Sequence, residues 1–224
     1  MFASLKRLMG SGRDQADHGE VLAEWAKAEG HTLKRVKDKT GMGYVVESKA
    51  GWRVEWGDSQ RPYIIGKELR FRSDTGLPGD VQLVMLTRVL AQTLESDVFS
   101  RFTNAMQTQI DNTLPDEMRW LAMHPRVPLQ ESPVLSRRFV LLCNAEPVAR
   151  NWLSNGVLTE MEEAASQWWT DSLVFLITLN RGILTARMAG QPLQTAQLRM
   201  VGHLFEQLVA KAREVSAKRA DSSS

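Results

Sequence analysis

The side chains that could act as nucleophiles are few and widely spaced. Cys143 is the single cysteine, and it would be reactive only if a base such as His124 or His203 folded against it, because the thiolate is the nucleophilic form. Cys143 also ends an apolar run, a setting typical of an inert core thiol. We therefore expect no catalytic residue. Cys143 with His124 is the pair to test if the protein is an enzyme whose site is assembled only in three dimensions.

The sequence gives equally little support for a metal site or for a pair of acid–base catalytic residues. The 4 histidines are scattered singly, and no HxH or HExxH pattern puts two imidazoles on one face. Glu160 and Glu163 lie one helical turn apart, but Glu162 between them indicates a solvated face. The chain has neither a GxxxxGK[ST] loop for phosphates nor a GxSxG nucleophile turn. We predict no metal site and no cofactor.

Aromatic and sulfur-containing side chains are the unusual feature of the composition, with 7 Trp and 10 Met. Such residues fill cores, line apolar ligand sites and anchor protein interfaces. The densest mixture of aromatic, arginine and glycine residues runs from Gly51 to Gly66. We predict that any recognition surface lies there and contains Trp52, Arg53, Trp56, Arg61 and Tyr63.

Strands predicted around this segment alternate between apolar and charged residues. Trp52, Val54 and Trp56 face one way, whereas Arg53 and Glu55 face the other. The same alternation recurs from Glu68 to Arg72. It predicts an antiparallel sheet with one covered and one solvated face. The apolar segment from Val81 to Leu94, which we interpret as helical, is expected to cover the aromatic face together with the residues that follow it at helical spacing, namely Phe99, Phe102, Met106 and Ile110.

The second half of the chain predicts a strand, helices and a hairpin. Three prolines between His124 and Ser136 favour an extended connector. Asn180-Arg181-Gly182 predicts a three-residue hairpin loop between Leu173–Leu179 and Ile183–Met188. A final helix from Pro192 to about Ala217 carries a heptad pattern, which predicts packing across the sheet or, alternatively, a homodimer. The heptad residues are Leu198, Val201, Phe205, Leu208, Ala212 and Val215.

Together these patterns predict an α+β protein with small antiparallel sheets covered by helices, arranged as two lobes or as one two-layer domain. The predicted organisation is a mobile N-terminal tail (1–17), a helix with an antiparallel meander and covering helices (18–123), a Pro-rich connector (124–136), a strand with helices, a β-hairpin and a long C-terminal helix (137–217), and a disordered tail (218–224).

Composition limits the cellular compartments and the classes of partner that we expect for the protein. Hydrophobic residues make up 43% and charged residues 24% of the chain, as in soluble globular proteins. The longest apolar stretch is too short for a membrane span, the N-terminus lacks a secretion signal, and one cysteine cannot form an internal disulfide. We therefore expect a cytoplasmic protein with no membrane contact. A net charge of +2 argues against nucleic acid as a partner, although a weak contact through the basic C-terminal helix stays open. The basic residues are Lys211, Arg213, Lys218 and Arg219.

The stretch from Trp52 to Arg72, together with Phe139-Val140, Ala149-Arg150 and Leu153, resembles uncharacterised bacterial proteins of unknown function. The resemblance implies a bacterial source and no activity. With no assembled catalytic set, the leading hypothesis is a non-catalytic module that binds a protein or a small apolar ligand. An enzyme and a weak nucleic-acid binder are the alternatives.

Overall fold

Nine strands form a single antiparallel sheet in the computed structural model, which describes residues 18–38, 41–105, 114–154, 156–167, 169–170, 173–190 and 192–222. The order across the sheet is β1-β2-β3-β4-β9-β8-β5-β7-β6. The strands are β1 (Thr32–Asp38), β2 (Gly41–Glu47), β3 (Arg53–Asp58), β4 (Lys67–Asp74), β5 (Leu83–Thr87), β6 (Arg126–Val127), β7 (Phe139–Cys143), β8 (Phe175–Asn180) and β9 (Ile183–Ala189).

Seven helices accompany the sheet in the described ranges, so the protein is α+β as predicted. Helix α1 covers residues 18–28. The others are α2 (Arg88–Ala105), α3 (Asp116–Met123), α4 (Pro133–Arg138), α5 (Glu146–Trp152), α6 (Gly156–Gln167) and α7 (Thr195–Ser222). None of these helices combines the length and the apolar character that a membrane crossing requires.

The first face of the sheet carries the larger core. Side chains of α1, α4, α5, α6 and α7 pack there against the strands. On the aromatic strands, Trp52 and Phe71 stand 5.7 Å apart between ring centroids, and both contact Phe205 of α7. All six heptad residues of α7 are buried in this core. The heptad residues therefore form the face by which α7 packs across the sheet of its own chain.

The second face is apolar only in part. A smaller core joins β5, β7 and β8 to α2 and α3 through Leu86, Leu94, Met118, Trp120 and Leu142, among others. On β3, β4 and β9 the same face carries charged side chains instead. The second face thus has an apolar part under two helices and a charged part beside it.

The helical interpretation of Val81 to Leu94 is wrong in its first half. Residues Leu83–Thr87 form β5, and the helix begins only at Arg88. A short apolar run fits a strand buried on both faces as well as a helix, and β5 is such a strand between β8 and β7. The expected cover is also different, because α1 and α7 lie on the aromatic face whereas α2 lies on the other. Met106 and Ile110 lie outside the described residues.

The hairpin between β8 and β9 is confirmed, with a tighter turn than predicted. Asn180 pairs directly with Ile183, so Arg181 and Gly182 alone form the loop. Their φ angles are 50° and 76°. Positive φ at both positions is the signature of a type I′ turn, whose twist matches that of the paired strands.

The Pro-rich connector contains regular structure. It includes β6 and the start of α4, where the side chain of Ser132 accepts a hydrogen bond from the Leu135 backbone N–H at 3.1 Å. Strands from both sides of residues 124–136 share the one sheet, since β4 pairs with β9. Helix α7 also continues to Ser222, past the predicted end near residue 217.

Gly202 lets α7 approach the tryptophans of the first face. A Cβ at this position would lie 3.2 Å from Trp25 and 3.5 Å from Trp52. We predict that Gly202→Leu lowers the free energy of unfolding by about 1–3 kcal/mol because the larger side chain overpacks this contact. Urea unfolding measures the loss. Gly156→Leu is the matched control, because a Cβ there meets nothing within 4 Å, and the two variants losing equal stability would contradict the packing described.

Candidate functional site

Charged residues are buried at the centre of the second face. Glu68, Arg70 and Arg187 are 2%, 9% and 7% exposed, and Glu117 of α3 is 1% exposed. Strand pairing explains why they meet. Arg70 of β4 stands directly opposite Arg187 of β9, and Glu68 lies two residues along β4 on the same face. We call these four residues, with Glu55, Arg61 and Tyr63, the ionic cluster.

Glu68 links the two opposed arginines. Its Oε1 accepts hydrogen bonds from Arg70 Nη1 at 3.0 Å and from Arg187 Nη1 at 2.7 Å. Arg70 also contacts Glu55 of β3 through Nη2. Two arginines facing each other across a strand pair repel, and the shared carboxylate offsets that repulsion.

Glu117 ties helix α3 to the loop between β3 and β4. Arg61 donates to Glu117 through Nε and, at 3.3 Å, through Nη2. The Tyr63 hydroxyl donates to the same carboxylate. Three donors from one loop therefore converge on one buried anion.

The protonation states in this part of the cluster are set by mutual contact. Burial, followed by the Glu117 carboxylate, raises the pKa of Tyr63, so its hydroxyl stays protonated and can donate. Burial opposes the charge on Arg61, but the contacts with Glu117 and Tyr63 outweigh it and raise the pKa of the guanidinium. The Arg61 guanidinium is therefore kept charged at neutral pH.

Residues 59–66 form a loop that internal hydrogen bonds hold in place and that carries an exposed large aliphatic side chain, Ile65. The Ser59 backbone N–H donates to the Gly66 carbonyl at 2.9 Å and closes the base of the loop. Ile64 is buried in the second-face core at 3% exposure, whereas its neighbour Ile65 is 90% exposed. With Arg61 and Tyr63 held by Glu117, the loop presents Ile65 to solvent from a fixed backbone.

The five residues predicted for recognition do not form one surface. Trp52 and Trp56 are 2% and 4% exposed in the first-face core, where Trp52 Nε1 donates to Glu206 at 3.3 Å. Arg61 and Tyr63 belong to the ionic cluster, and Arg53 lies on the second face paired with Glu55 at 3.0 Å. A binding role for this set stays a prediction, and only its second-face members can be reached from solvent.

Cys143 and His124 contact different cores. Cys143 is fully buried in the first-face core, and burial raises the pKa of its thiol against a weaker opposing contact with Ala145. The His124 ring stacks on Trp120 of the second-face core, with centroids 5.7 Å apart, and its Nε2 lies 2.9 Å from Gln82 Oε1. Neither supplies the other with a catalytic partner.

The two glutamates considered for acid–base chemistry, Glu160 and Glu163, have different partners. Glu163 accepts a hydrogen bond from Gln167 at 2.8 Å, while Glu160 lies 3.8 Å from the exposed His203. Within the part of the chain that the structure describes, no group of three or more His, Cys, Asp or Glu side chains could hold a metal ion.

Sequence reasoning missed the ionic cluster for an identifiable reason. Glu68 and Arg70 alternate with apolar residues, a pattern that indicates a solvated face. Their burial depends on Arg187 and Glu117, which lie 119 and 49 residues away from Glu68 along the chain. The one local signal was the concentration of Arg61 and Tyr63 beside two glycines, which did mark the loop.

Comparison with known proteins gives a distant structural likeness. No protein-family model matches the chain, and no curated protein sequence matches it. Its fold is similar to the crystal structure of the mycobacterial trehalose monomycolate transport factor A, TtfA, at 13% sequence identity and a TM-score of 0.48. The match covers 87% of this chain and 94% of that one. At this distance the likeness assigns no function.

Removal of the Glu117 charge tests the ionic cluster. We predict that Glu117→Gln lowers the free energy of unfolding by about 3 kcal/mol, because the partly buried Arg61 charge loses its counterion and the donors that converge on the buried carboxylate lose a charged acceptor. Glu146→Gln is the matched control, since the Glu146–Arg150 pair is about half exposed, and a loss of about 0.5 kcal/mol or less is expected. Denaturant unfolding compares them, and a small, equal loss in both variants would show that the cluster is solvated.

The reactivity of Cys143 tests the catalytic alternative. We predict that a thiol reagent modifies Cys143 of the native protein only as fast as the protein opens, because the side chain is buried and the raised pKa disfavours the thiolate. His124→Ala should leave that rate unchanged. Stopped-flow labelling in native buffer and in urea measures both rates; rapid native labelling that slows on loss of His124 would revive the enzyme hypothesis.

Proposed function

We propose that the protein is a non-catalytic module that binds another protein through the second face of its sheet, with the loop 59–66 at the centre of the contact. The observation that carries this proposal is Ile65, a large aliphatic side chain 90% exposed on a loop that an internal ion pair holds in place. Exposed aliphatic side chains are ordinary when isolated. An exposed aliphatic side chain on a rigidly held loop, on a face whose covering helices also carry exposed apolar groups, is less ordinary.

Further exposed apolar groups lie on the same elements. Among the described residues the large hydrophobic side chains with high exposure are Val36, Ile65, Val89, Phe99 and Met123. All except Val36 belong to the loop, to α2 or to α3. These are the elements joined to the second-face core. The first face, by contrast, buries its aromatic residues under helices.

Rigidity of the loop favours binding on energetic grounds. A flexible loop loses conformational entropy when a partner orders it, which weakens association. Here Arg61 and Tyr63 donate to Glu117, and Ile64 is already inserted in the core. The loop has therefore already lost its conformational entropy on folding, and a partner that contacts Ile65 does not have to order it.

A small apolar ligand has less support. The gap enclosed by Leu77, Leu83, Trp152, Leu184 and neighbouring apolar side chains is too small to admit a water-sized sphere. A larger cavity of about 580 Å³ lies between α2, α4 and α6, but arginine side chains share its walls with apolar ones. Neither provides the enclosed apolar volume that such a ligand needs.

Nucleic-acid binding through α7 is also disfavoured. Lys211 and Lys218 both contact Glu214, at 2.9 and 2.6 Å. Arg213 donates to the Asp74 carbonyl and to Ser73. Most of the basic cluster is therefore engaged within the protein.

A homodimer through the heptad residues of α7 has no support either, because these residues are buried against the sheet of the same chain. A homodimer, if one forms, would need a different surface.

Replacement of Ile65 tests the proposed contact. A photo-crosslinking residue placed at position 65 should capture a specific protein in extracts of the source cells, while the same residue at Val36, which is 42% exposed on the edge strand β1, should not. With the captured protein purified, Ile65→Asp is expected to raise the Kd at least about tenfold, because a charge replaces an apolar contact. Titration calorimetry measures the change.

Val36→Asp is the control for that titration. Both substitutions exchange an exposed aliphatic side chain for a carboxylate, and neither should change stability by more than about 0.5 kcal/mol. Equal loss of affinity in the two variants, or an unchanged Kd in Ile65→Asp, would reject the loop as the contact surface.

A further inference from the structure

Two arginines face each other across the β3–β4 strand pair. Arg53 of β3 is directly opposite Arg72 of β4, so both side chains project from the second face at neighbouring positions. Arg72 is half-buried, and Arg53 keeps half of its side-chain surface exposed. Like charges in this relation are destabilising unless an anion lies between them.

The protein's own carboxylates do not balance this pair. Glu55 gives one oxygen to Arg53 at 3.0 Å and the other to Arg70. Glu68 is shared by Arg70 and Arg187. In the described part of the chain, Arg72 makes no ion pair with a carboxylate, so the second face carries one guanidinium more than its acidic groups satisfy.

The surroundings of Arg72 increase the demand for a counterion. Burial lowers the pKa of Arg72, and the neighbouring charge of Arg53 lowers it further, while Glu55 acts in the opposite direction. A guanidinium remains charged despite such shifts. The charge is therefore present in a partly desolvated position where an anion would be attracted strongly.

A cavity lies at the end of these strands with both arginines in its wall. Its volume is about 500 Å³, and its lining comprises Glu47, Ser48, Gly51, Trp52, Arg53, Arg72, Ser73, Asp74 and Ile183. The space exceeds what a small oxyanion needs. The Ser48 hydroxyl also borders it; its oxygen accepts from the Ala50 backbone N–H at 3.1 Å, and its own proton is an additional donor for an anion oxygen.

Of the two acidic residues in the wall, Glu47 is paired with a cation, whereas Asp74 accepts from a neutral N–H and keeps its negative charge. Glu47 accepts from Lys34 Nζ at 2.7 Å. Asp74 Oδ1 accepts from the Gly76 backbone N–H at 2.8 Å. Arg213 of α7 adds a further cation beside the cavity, because its Nη2 donates to Ser73 Oγ at 3.2 Å. Four cations in and beside the wall, Arg53, Arg72, Lys34 and Arg213, therefore face three carboxylates, those of Glu47, Asp74 and Glu55, and this excess of positive charge favours an anion.

We propose that Arg53 and Arg72 form a binding site for a small oxyanion, a phosphate or carboxylate group, which sits in the cavity at the end of β3 and β4 and bridges the two guanidinium groups. Each guanidinium can offer two parallel N–H donors to such a group, which gives both charge and geometry to recognition. The site is separate from the loop contact proposed above and does not depend on it.

Amide NMR spectra recorded during titration with inorganic phosphate test the site. Sodium chloride replaces phosphate at each step to keep the ionic strength constant, because salt alone screens the repulsion between the arginines. We expect saturable shifts localised to the amides of Gly51, Arg53, Arg72 and Ser73. A second titration with succinate distinguishes the two chemistries, since the tighter of the two anions identifies whether a phosphoryl or a carboxylate group is preferred.

Arg72→Gln is expected to raise the Kd of the tighter anion at least about tenfold, because one charge-assisted pair of hydrogen bonds is lost. Arg53→Gln should weaken it as well and changes a half-exposed side chain, so it carries the test if Arg72→Gln does not fold. Arg35→Gln alters an exposed arginine on β1 and should leave the Kd within about twofold. Absence of a saturable, localised shift, or an unchanged Kd in both Arg72→Gln and Arg53→Gln, would overturn the proposal.

Discussion

The antiparallel pairing of β4 with β9 is the interaction on which the rest of the structure depends. It joins the meander β1 to β4 to the hairpin β8–β9, over more than a hundred residues of chain. Without it the first four strands would carry the aromatic face of one small sheet, with α7 belonging to another. With it, α7 can lie across both sets of strands and bury Phe205 against Trp52 and Phe71.

The same pairing creates the electrostatic problem that the ionic cluster solves. Its register places Arg70 opposite Arg187. A shift by one residue would reverse the faces and bring these charges into the aromatic core. Glu68 stabilises the observed register because its carboxylate is within reach of both arginines there. Buried ion pairs contribute little net stability compared with apolar residues. We infer that the cluster selects the register more than it strengthens the sheet.

Local sequence patterns predicted many of the helices and strands, whereas contacts between distant residues decided where these elements pack. The hairpin at Arg181-Gly182 and the buried heptad of α7 follow from residues that are neighbours along the chain or along one helix. The strand β5 could not be predicted in this way, because the apolar run Leu83–Thr87 fits a buried helix as well as a buried strand. Its pairing with β7 and β8 distinguishes the two. For the same reason Trp52 and Trp56 were expected to mark a recognition surface, whereas α1 and α7 cover them.

The candidate site divides in the same way. Composition alone drew attention to Arg61 and Tyr63, since arginine, tyrosine and glycine are concentrated there. Their partner Glu117 lies on a short helix 54 residues beyond Tyr63, and no periodicity links the two. The division of the second face explains where binding groups can remain. Two helices cover its apolar part, and the centre of its charged part is buried, so the loop 59–66 at one end and the Arg53–Arg72 pair at the other are the places that meet solvent. Charged side chains satisfied internally make that surface rigid. Arg72, whose guanidinium makes no ion pair with a carboxylate among the described residues, gives it a preference for anions.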